Sequence, residues 1–321
     1  MNHRASDGVK IGALLWSQNT DWPGFREAAL EAEKSGFDSL WTSDHLLSPT
    51  GPLDGSVFDG WSLVQAVGAI TRRPQVGLIV SANTLRHPAL VAKMAVTLDH
   101  ISHGRAVCGL GAGWAQQEHE VHGINFGRSA GERIDRLHEA ARIIRGLLDG
   151  EPVNMTGHWY SLESVRHAPL PLQDHLPILI GGEGRQKTLR VVAELADMWN
   201  ARGPLDSLLS ADDVLRSYCS QIGRPHESIE RMTNRWVAVR NDRSSARRFI
   251  EDSMRYQRLD SYDESTIVAG PPDLVAEALA PVVKAGFRHM VFSLRAPWDL
   301  ETIRWLPEVR QRLQQATTTN C

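Results

Sequence analysis

Cysteine is scarce in this chain: three among 321 residues, at Cys108, Cys219 and Cys321. Spacing that wide excludes a disulfide framework and fits a reducing compartment. No apolar run approaches the roughly 18 residues that span a bilayer. The start, Met1–Lys10, carries an acid and lacks the apolar core of a secretory signal. Excess charge of one sign is also missing. Thirty-five basic residues against 38 acidic ones leave a net charge of −3, so the chain has no overall electrostatic footprint for nucleic acid. The basic cluster Arg243–Arg248 reads as a solvated face. Tyrosine (4) and phenylalanine (7) are few, whereas the 10 tryptophans bring large flat surfaces with one donor each, suited to a planar ligand or to a core. With 42% apolar and 23% charged residues, the composition predicts a globular cytoplasmic protein with ample core and neither nucleic-acid nor membrane partners.

A linker of Pro/Gly/Ser type is absent too, so the whole chain, 1–321, is expected to form one domain with its core over about residues 10–295. Within it a short branched run, a turn and an amphipathic stretch recur. Strands are predicted at Lys10–Leu15, Ser39–Thr42, Val76–Val80, Ala106–Leu110, Pro177–Ile180, Asp197–Asn200, Trp236–Val239 and His289–Leu294. Helices are predicted at Phe25–Ser35, Trp61–Ile70, Pro88–Ile101, Ala130–Leu148, Thr188–Leu195, Ser245–Tyr256 and Asp273–Lys284, with a terminal one over about 300–315 and a frayed tail at Thr317–Cys321. Ser48–Gly60, Glu151–Asp174 and Arg202–Glu230 read as polar insertions. Continuous apolar strands followed by helices specify a parallel sheet buried on both faces. A closed (β/α)8 TIM barrel fits best, with its active site on the loops after the strands. An open doubly wound sheet wants Gly-x-Gly-x-x-Gly after the first strand, and Gly12–Gly24 lacks it.

Three strings at predicted strand ends carry candidate chemistry. In Ile180-Gly-Gly-Glu-Gly-Arg185 a glycine turn opens a helix, which makes either an anion site or a plain tight turn; Arg185, Lys187 and Thr188 stand nearby. Gly109-Leu-Gly-Ala-Gly-Trp114 allows close backbone approach to something flat, with Trp114 as a wall and Gln117 as a ring contact, or else a bend packed on a neighbouring strand. Ser43-Asp44-His45 sets a carboxylate beside an imidazole, as an acid–base pair or as a structural polar pair, since neighbours on a strand point to opposite faces. Arg86 and His87 read first as helix-entry chemistry before Pro88. His119 and His122 lack the zinc-protease spacing and no metal is expected; no nucleophile elbow is present.

Taken in order, Gly36-Phe-Asp-Ser-Leu-Trp-Thr-Ser-Asp-His45, Leu85–Lys93, Asp99–Arg105, Gly109–Trp114, Ile178–Arg185, Ala196–Asn200 and Gly270-Pro-Pro resemble the bacterial-luciferase-like flavin and deazaflavin oxidoreductases. The resemblance implies a TIM barrel that binds coenzyme F420, or alternatively FMN, at the strands' C-terminal ends, and commonly a homodimer. It implies a non-proline cis peptide at Ile79–Val80 behind the ring, with Ser81 following. Asp44 then meets the ring's polar edge, His45 transfers the proton, and Gly181, Gly182, Glu183, Gly184 and Arg185 receive the cofactor phosphate. Trp16, Trp61 and Trp114 become walls for a small-molecule substrate. The Ser-Asp-His and Gly-Gly-Glu-Gly-Arg strings are closer to the deazaflavin branch. In its sugar-phosphate dehydrogenases a catalytic glutamate occupies the position that is Trp114 here, which argues against sugar-phosphate oxidation. The expected activity is therefore F420-dependent hydride transfer to or from an unidentified substrate. A reduced-FMN monooxygenase is the alternative, and a non-redox barrel holding a phosphorylated ligand comes last.

Overall fold

The computed structural model describes residues 8–318. The first seven residues, which include most of the segment read against a secretory signal, and the end of the expected frayed tail lie outside them.

In chain order the elements are β1 (Lys10–Leu15), α1 (Trp22–Lys34), β2 (Ser39–Thr42), α2 (Gly60–Ile70), β3 (Gln75–Leu78), β4 (Ser81–Ala82), α3 (Pro88–Ile101), β5 (Ala106–Gly111), α4 (Gln116–Val121) and α5 (Ala130–Leu148). There follow β6 (Val153–Thr156), β7 (Ser161–Val165), β8 (Ile178–Gly181), α6 (Thr188–Leu195), β9 (Met198–Ala201), α7 (Leu205–Gln221), β10 (Glu230–Val239), α8 (Arg243–Tyr256), β11 (Ile267–Gly270), α9 (Pro272–Lys284), β12 (His289–Leu294) and α10 (Leu300–Thr318).

Eight strands close into a parallel ring, β1-β2-β3-β5-β8-β9-β10-β12 and back to β1. The fold is the expected (β/α)8 barrel. β5 and β12 are buried at every residue, as strands wrapped by helices outside and plugged by side chains within must be. Helices close tightly on the ring where small residues face it: α1 turns Phe25, Ala28, Ala29 and Ala32 inward, at helical spacing. Side chains before the helices cap them, Asp59 accepting from Ser62 N and Ser129 from Glu132 N.

The barrel interior is layered. Deepest is a polar chain: Lys10 Nζ to Glu230 at 2.7 Å, His289 Nδ1 to Glu230 at 2.5 Å, His289 Nε2 to Ser39 Oγ at 2.7 Å, and Trp41 Nε1 donating to Ser39 Oγ. Above it Leu14, Trp41, Val107, Leu179, Met198, Met232 and Val291 fill the bore, and Trp16, Ile79 and Val80 pack on them from the rim. The bore is a core, not a pore.

Several expectations need correction. The Glu151–Asp174 insertion is folded, as the antiparallel β6–β7 hairpin, with Val153, Tyr160 and Leu162 buried. Arg202–Glu230 holds α7, whose Leu208, Ala211, Leu215 and Cys219 recur at helical spacing within a polar sequence. β10 begins six residues before the expected Trp236, and its far half pairs with β11, a branch outside the ring that the sequence reading did not identify. Strand three stops at Leu78, two residues early, and the cis Ile79–Val80 peptide bond follows it; α10 runs on to Thr318.

Candidate active site

A cavity of about 630 Å³ opens at the C-terminal ends of the ring strands and is lined from all eight of them. Its size suits a ligand of small-molecule class. Asp44 and His45 follow β2, Ile79 and Val80 follow β3, Gly111–Trp114 end β5, and Gly181–Gly184 end β8.

Two glycines let the wall form. A Cβ on Gly109 would lie 1.8 Å from the Leu78 carbonyl oxygen, and one on Gly111 would lie 2.4 Å from Val80 Cγ2. β5 therefore needs glycine there to approach the turn after β3. A Cβ on Gly181 would likewise lie 2.9 Å from Val80 Cγ1.

Asp44 is fully buried beneath the cavity. Its Oδ2 accepts from Ser81 Oγ at 2.9 Å and from Arg86 Nη1 at 2.7 Å, with a longer contact from Ala82 N at 3.3 Å. Its Oδ1 has no partner. Burial raises the Asp44 pKa above the ordinary carboxylate value, and Arg86 and Ser81 pull against that. The other end of Arg86 meets Asp59 at 2.7 Å, so the α2 cap, the guanidinium and Asp44 form one chain.

His45 takes a different direction, although it is the next residue. Its Nδ1 lies 3.2 and 3.3 Å from the two carboxylate oxygens of Glu118, and Glu118 Oε2 also accepts from Leu46 N at 2.9 Å. Burial works to raise the Glu118 pKa, but the contacts with His45 and Leu46 outweigh it and hold the pKa below the usual value. An ionised carboxylate only accepts hydrogen bonds, so Nδ1 carries the hydrogen and Nε2 is the nitrogen left for a ligand. Trp114, 56% exposed, stands edge-on to the His45 ring at 5.5 Å.

The expected site residues divide. Asp44, His45, Ile79, Val80, Gly181, Gly182, Glu183, Gly184, Trp16 and Trp114 line the cavity together. Ser81 stands one shell behind Asp44, buried. Trp61 is not a substrate wall: it is 1% exposed in the core, and its Nε1 donates to Ser81 Oγ at 3.0 Å. Gln117 does not reach the cavity either. The chain coils into α4 after Ala115, which turns Glu118 and His119 inward and leaves Gln117 in solvent. Arg185 is exposed and off the lining, and Lys187 is paired with Asp135 at 2.5 Å, so the glycine loop meets the cavity with backbone and Thr188. His119 bridges Ala115 O and Thr84 Oγ1 and holds a turn.

Glu118 is the residue missed from sequence. The available signal was its position four residues after Trp114, one helical turn on, in a helix too short to show periodicity. Arg235, from β10, was missed as well; it follows Glu230, Arg231, Thr233 and Asn234 in its strand, and nothing in the sequence set it apart from them.

Comparison with known proteins agrees with this geometry. Residues 8–262 match the model of the luciferase-like monooxygenase family. The chain belongs to that family. Among relatives of this luciferase-like protein, an F420-dependent glucose-6-phosphate dehydrogenase of Microbacterium testaceum is 31% identical over 81% of this chain and 84% of its own length. One from Kineococcus radiotolerans is likewise 31% identical, over 82% and 85%. An F420-dependent secondary alcohol dehydrogenase, solved with an F420–acetone adduct, superposes with a TM-score of 0.81 at 20% identity, over 95% of this chain and 99% of that one. A long-chain alkane monooxygenase reaches 0.79 at 18% identity, over 97% and 92%. At those identities the two structures speak for the fold. Among the described residues no helix is long and apolar enough to cross a membrane.

Proposed function

We propose that this luciferase-like protein is an F420-dependent oxidoreductase that moves hydride between the deazaflavin ring and a small organic substrate. One observation carries the proposal: Asp44 and His45, adjacent in sequence, both line one cavity while serving different partners. Asp44 lines it and keeps one buried oxygen, Oδ1, unpartnered among the described residues, an acceptor that suits the N–H of a flat heterocycle. His45 is oriented by Glu118 so that Nε2 is left to a substrate hydroxyl or carbonyl. Ile79 and Val80 add an apolar wall to the same cavity, and the glycines at 111 and 181 leave room for that wall.

Coenzyme F420 fits these residues and supplies the hydride carrier when bound. Asp44 would hold the ring's polar edge, Ile79 and Val80 its back, and the turn Gly181–Gly184 with Thr188 its phosphate tail. His45 takes the substrate's hydroxyl proton when the substrate is oxidised and returns it on reduction, with Glu118 stabilising the imidazolium meanwhile. The relatives named as F420-dependent enzymes support this choice over FMN. Trp114 offers no acid at the mouth, so a sugar phosphate is not the proposed substrate. A homodimer in the cytoplasm belongs to the same proposal.

The test is titration of the purified protein with F420 and with FMN, followed by turnover with a panel of alcohols and carbonyl compounds. Saturable F420 binding at least 100-fold tighter than FMN, with bleaching of the oxidised deazaflavin on substrate addition, is expected. Tight FMN binding with oxygen consumption, or neither cofactor binding at all, overturns the proposal.

A further inference from the structure

The cavity has a cationic corner that neither Asp44 nor His45 explains. Arg235, near the end of the ring portion of β10, lines the cavity and is 4% exposed. Its guanidinium carries five N–H donors. Nη1 uses two, on Thr233 Oγ1 at 2.9 Å and the Asn234 carbonyl at 2.7 Å, and Nη2 uses one, on the Gly203 carbonyl at 3.0 Å. Two donors remain, Nε and one on Nη2, and every acceptor is neutral. Among the described residues no carboxylate forms an ion pair with Arg235; burial pulls its pKa down, and the Asp263 carboxylate, which lines the same cavity, works against that without touching it. A buried cation with no partner in direct contact is costly to keep.

Two more arginines follow the strands on either side of β10. Arg202, after β9, also lines the cavity; it is exposed, and among the described residues its side chain makes no hydrogen bond or ion pair, while its backbone N–H goes to Glu183. Arg295, after β12, is 3% exposed, lies 3.8 Å over Trp16, touches Thr50 Oγ1 at 3.4 Å, and leaves its Nε without a partner. Two acids line the same cavity without pairing with Arg235: Asp263 accepts from Ser265 N and Oγ, and Glu183 from Arg202 N. β10 stands three strands round the ring from β2, so the corner faces His45 across the cavity.

We infer that the substrate carries a carboxylate or phosphate group that docks on Arg235, with Arg202 at the mouth, and turns its reacting carbon toward His45. This rests on the proposal that the cavity holds a deazaflavin, whose own phosphate belongs at the Gly181–Gly184 turn. The free Nε and Nη2 donors suit the forked contact an oxyanion makes. The corner therefore selects anionic substrates, and a neutral alcohol of the same shape leaves Arg235 unpaired.

The experiment uses the full-length protein saturated with F420, so that the cofactor's phosphate already fills the glycine turn, and titrates it with inorganic phosphate in a calorimeter. Wild type is expected to bind one phosphate saturably. Arg235→Met should weaken it at least 10-fold, Arg235→Lys less, and Arg202→Gln at least threefold, with F420 affinity held within twofold in all three. Arg202→Gln and Arg235→Lys keep the test open if loss of the Gly203 tie unfolds Arg235→Met. Absent phosphate binding, or equal binding by wild type and Arg202→Gln, overturns the inference. Weakened F420 affinity in the Arg235 variants also overturns it, since the corner would then serve the cofactor's tail. If wild type fails to bind F420 but still binds phosphate through Arg235, the cofactor proposal falls and the anion corner stands.

Discussion

Glu118 grips His45 and the backbone N–H of Leu46 with one carboxylate, 3.2 Å from Nδ1 and 2.9 Å from the amide. The acid thereby fixes both the imidazole's tautomer and the path of the loop that carries it.

Replacing Glu118 with Gln keeps the shape but lets Nδ1 meet an amide that can donate as well as accept. The expected result is a drop in kcat of about 100-fold, within the range general acid–base catalysis supplies, and an F420 dissociation constant within twofold of wild type. Stopped-flow turnover alongside a cofactor titration checks it. Weakened F420 binding at unchanged kcat would assign Glu118 to the cofactor instead.

Asp44→Asn should separate function from stability. Burial already disfavours the Asp44 charge, and Arg86 retains Asp59 when that charge is gone. The melting temperature is therefore expected to stay level or rise, while F420 affinity falls at least 10-fold. A lower melting temperature with intact F420 binding would make Asp44 a structural partner of Arg86 only.

The two glycines of β5 should fail differently. Alanine at 109 places a methyl on the Leu78 carbonyl, which is backbone and cannot step aside, so the variant should misfold or lose at least about 3 kcal/mol. Alanine at 111 strikes the Val80 side chain, which lines the cavity and has room to shift there. That variant should fold yet bind F420 at least 10-fold more weakly, and adding Val80→Ala should restore most of the affinity. Chemical denaturation and cofactor titration of the single and double variants decide it.

The Lys10–Glu230–His289 chain makes stability depend on acid. Burial opposes the Glu230 charge, but His289 and Lys10 outweigh it and bring the pKa down from 4.5 to about 2. A depressed folded-state pKa contributes stability that is complete above the unfolded value and lost as pH falls. Wild type should therefore lose more stability than Glu230→Gln between pH 4.5 and 2, and their denaturation midpoints should converge across that interval. Parallel slopes for the two proteins would exclude Glu230 as the group responsible.

Much of the barrel is written in local pattern. Apolar runs such as Val76–Leu78 and Ala106–Leu110 are too short for helices and too apolar for exposed strands, so a doubly covered parallel sheet follows from them directly. The order of Ser43-Asp44-His45, the glycine strings and Leu85–Lys93 pointed to the family, and the first two to part of the cavity lining, because residues at strand ends share one rim in a barrel. Side-chain direction could not be read in the same way. Whether Trp61 faces ligand or core, and whether Gln117 or Glu118 turns inward, depends on where strand gives way to helix and on what packs across from it. Arg235 is the clearest case: the polar first half of its strand gives no sign that it is buried, and only the closed ring shows that no acid pairs with it and that it lines a cavity with donors to spare, because those neighbours arrive from distant parts of the chain.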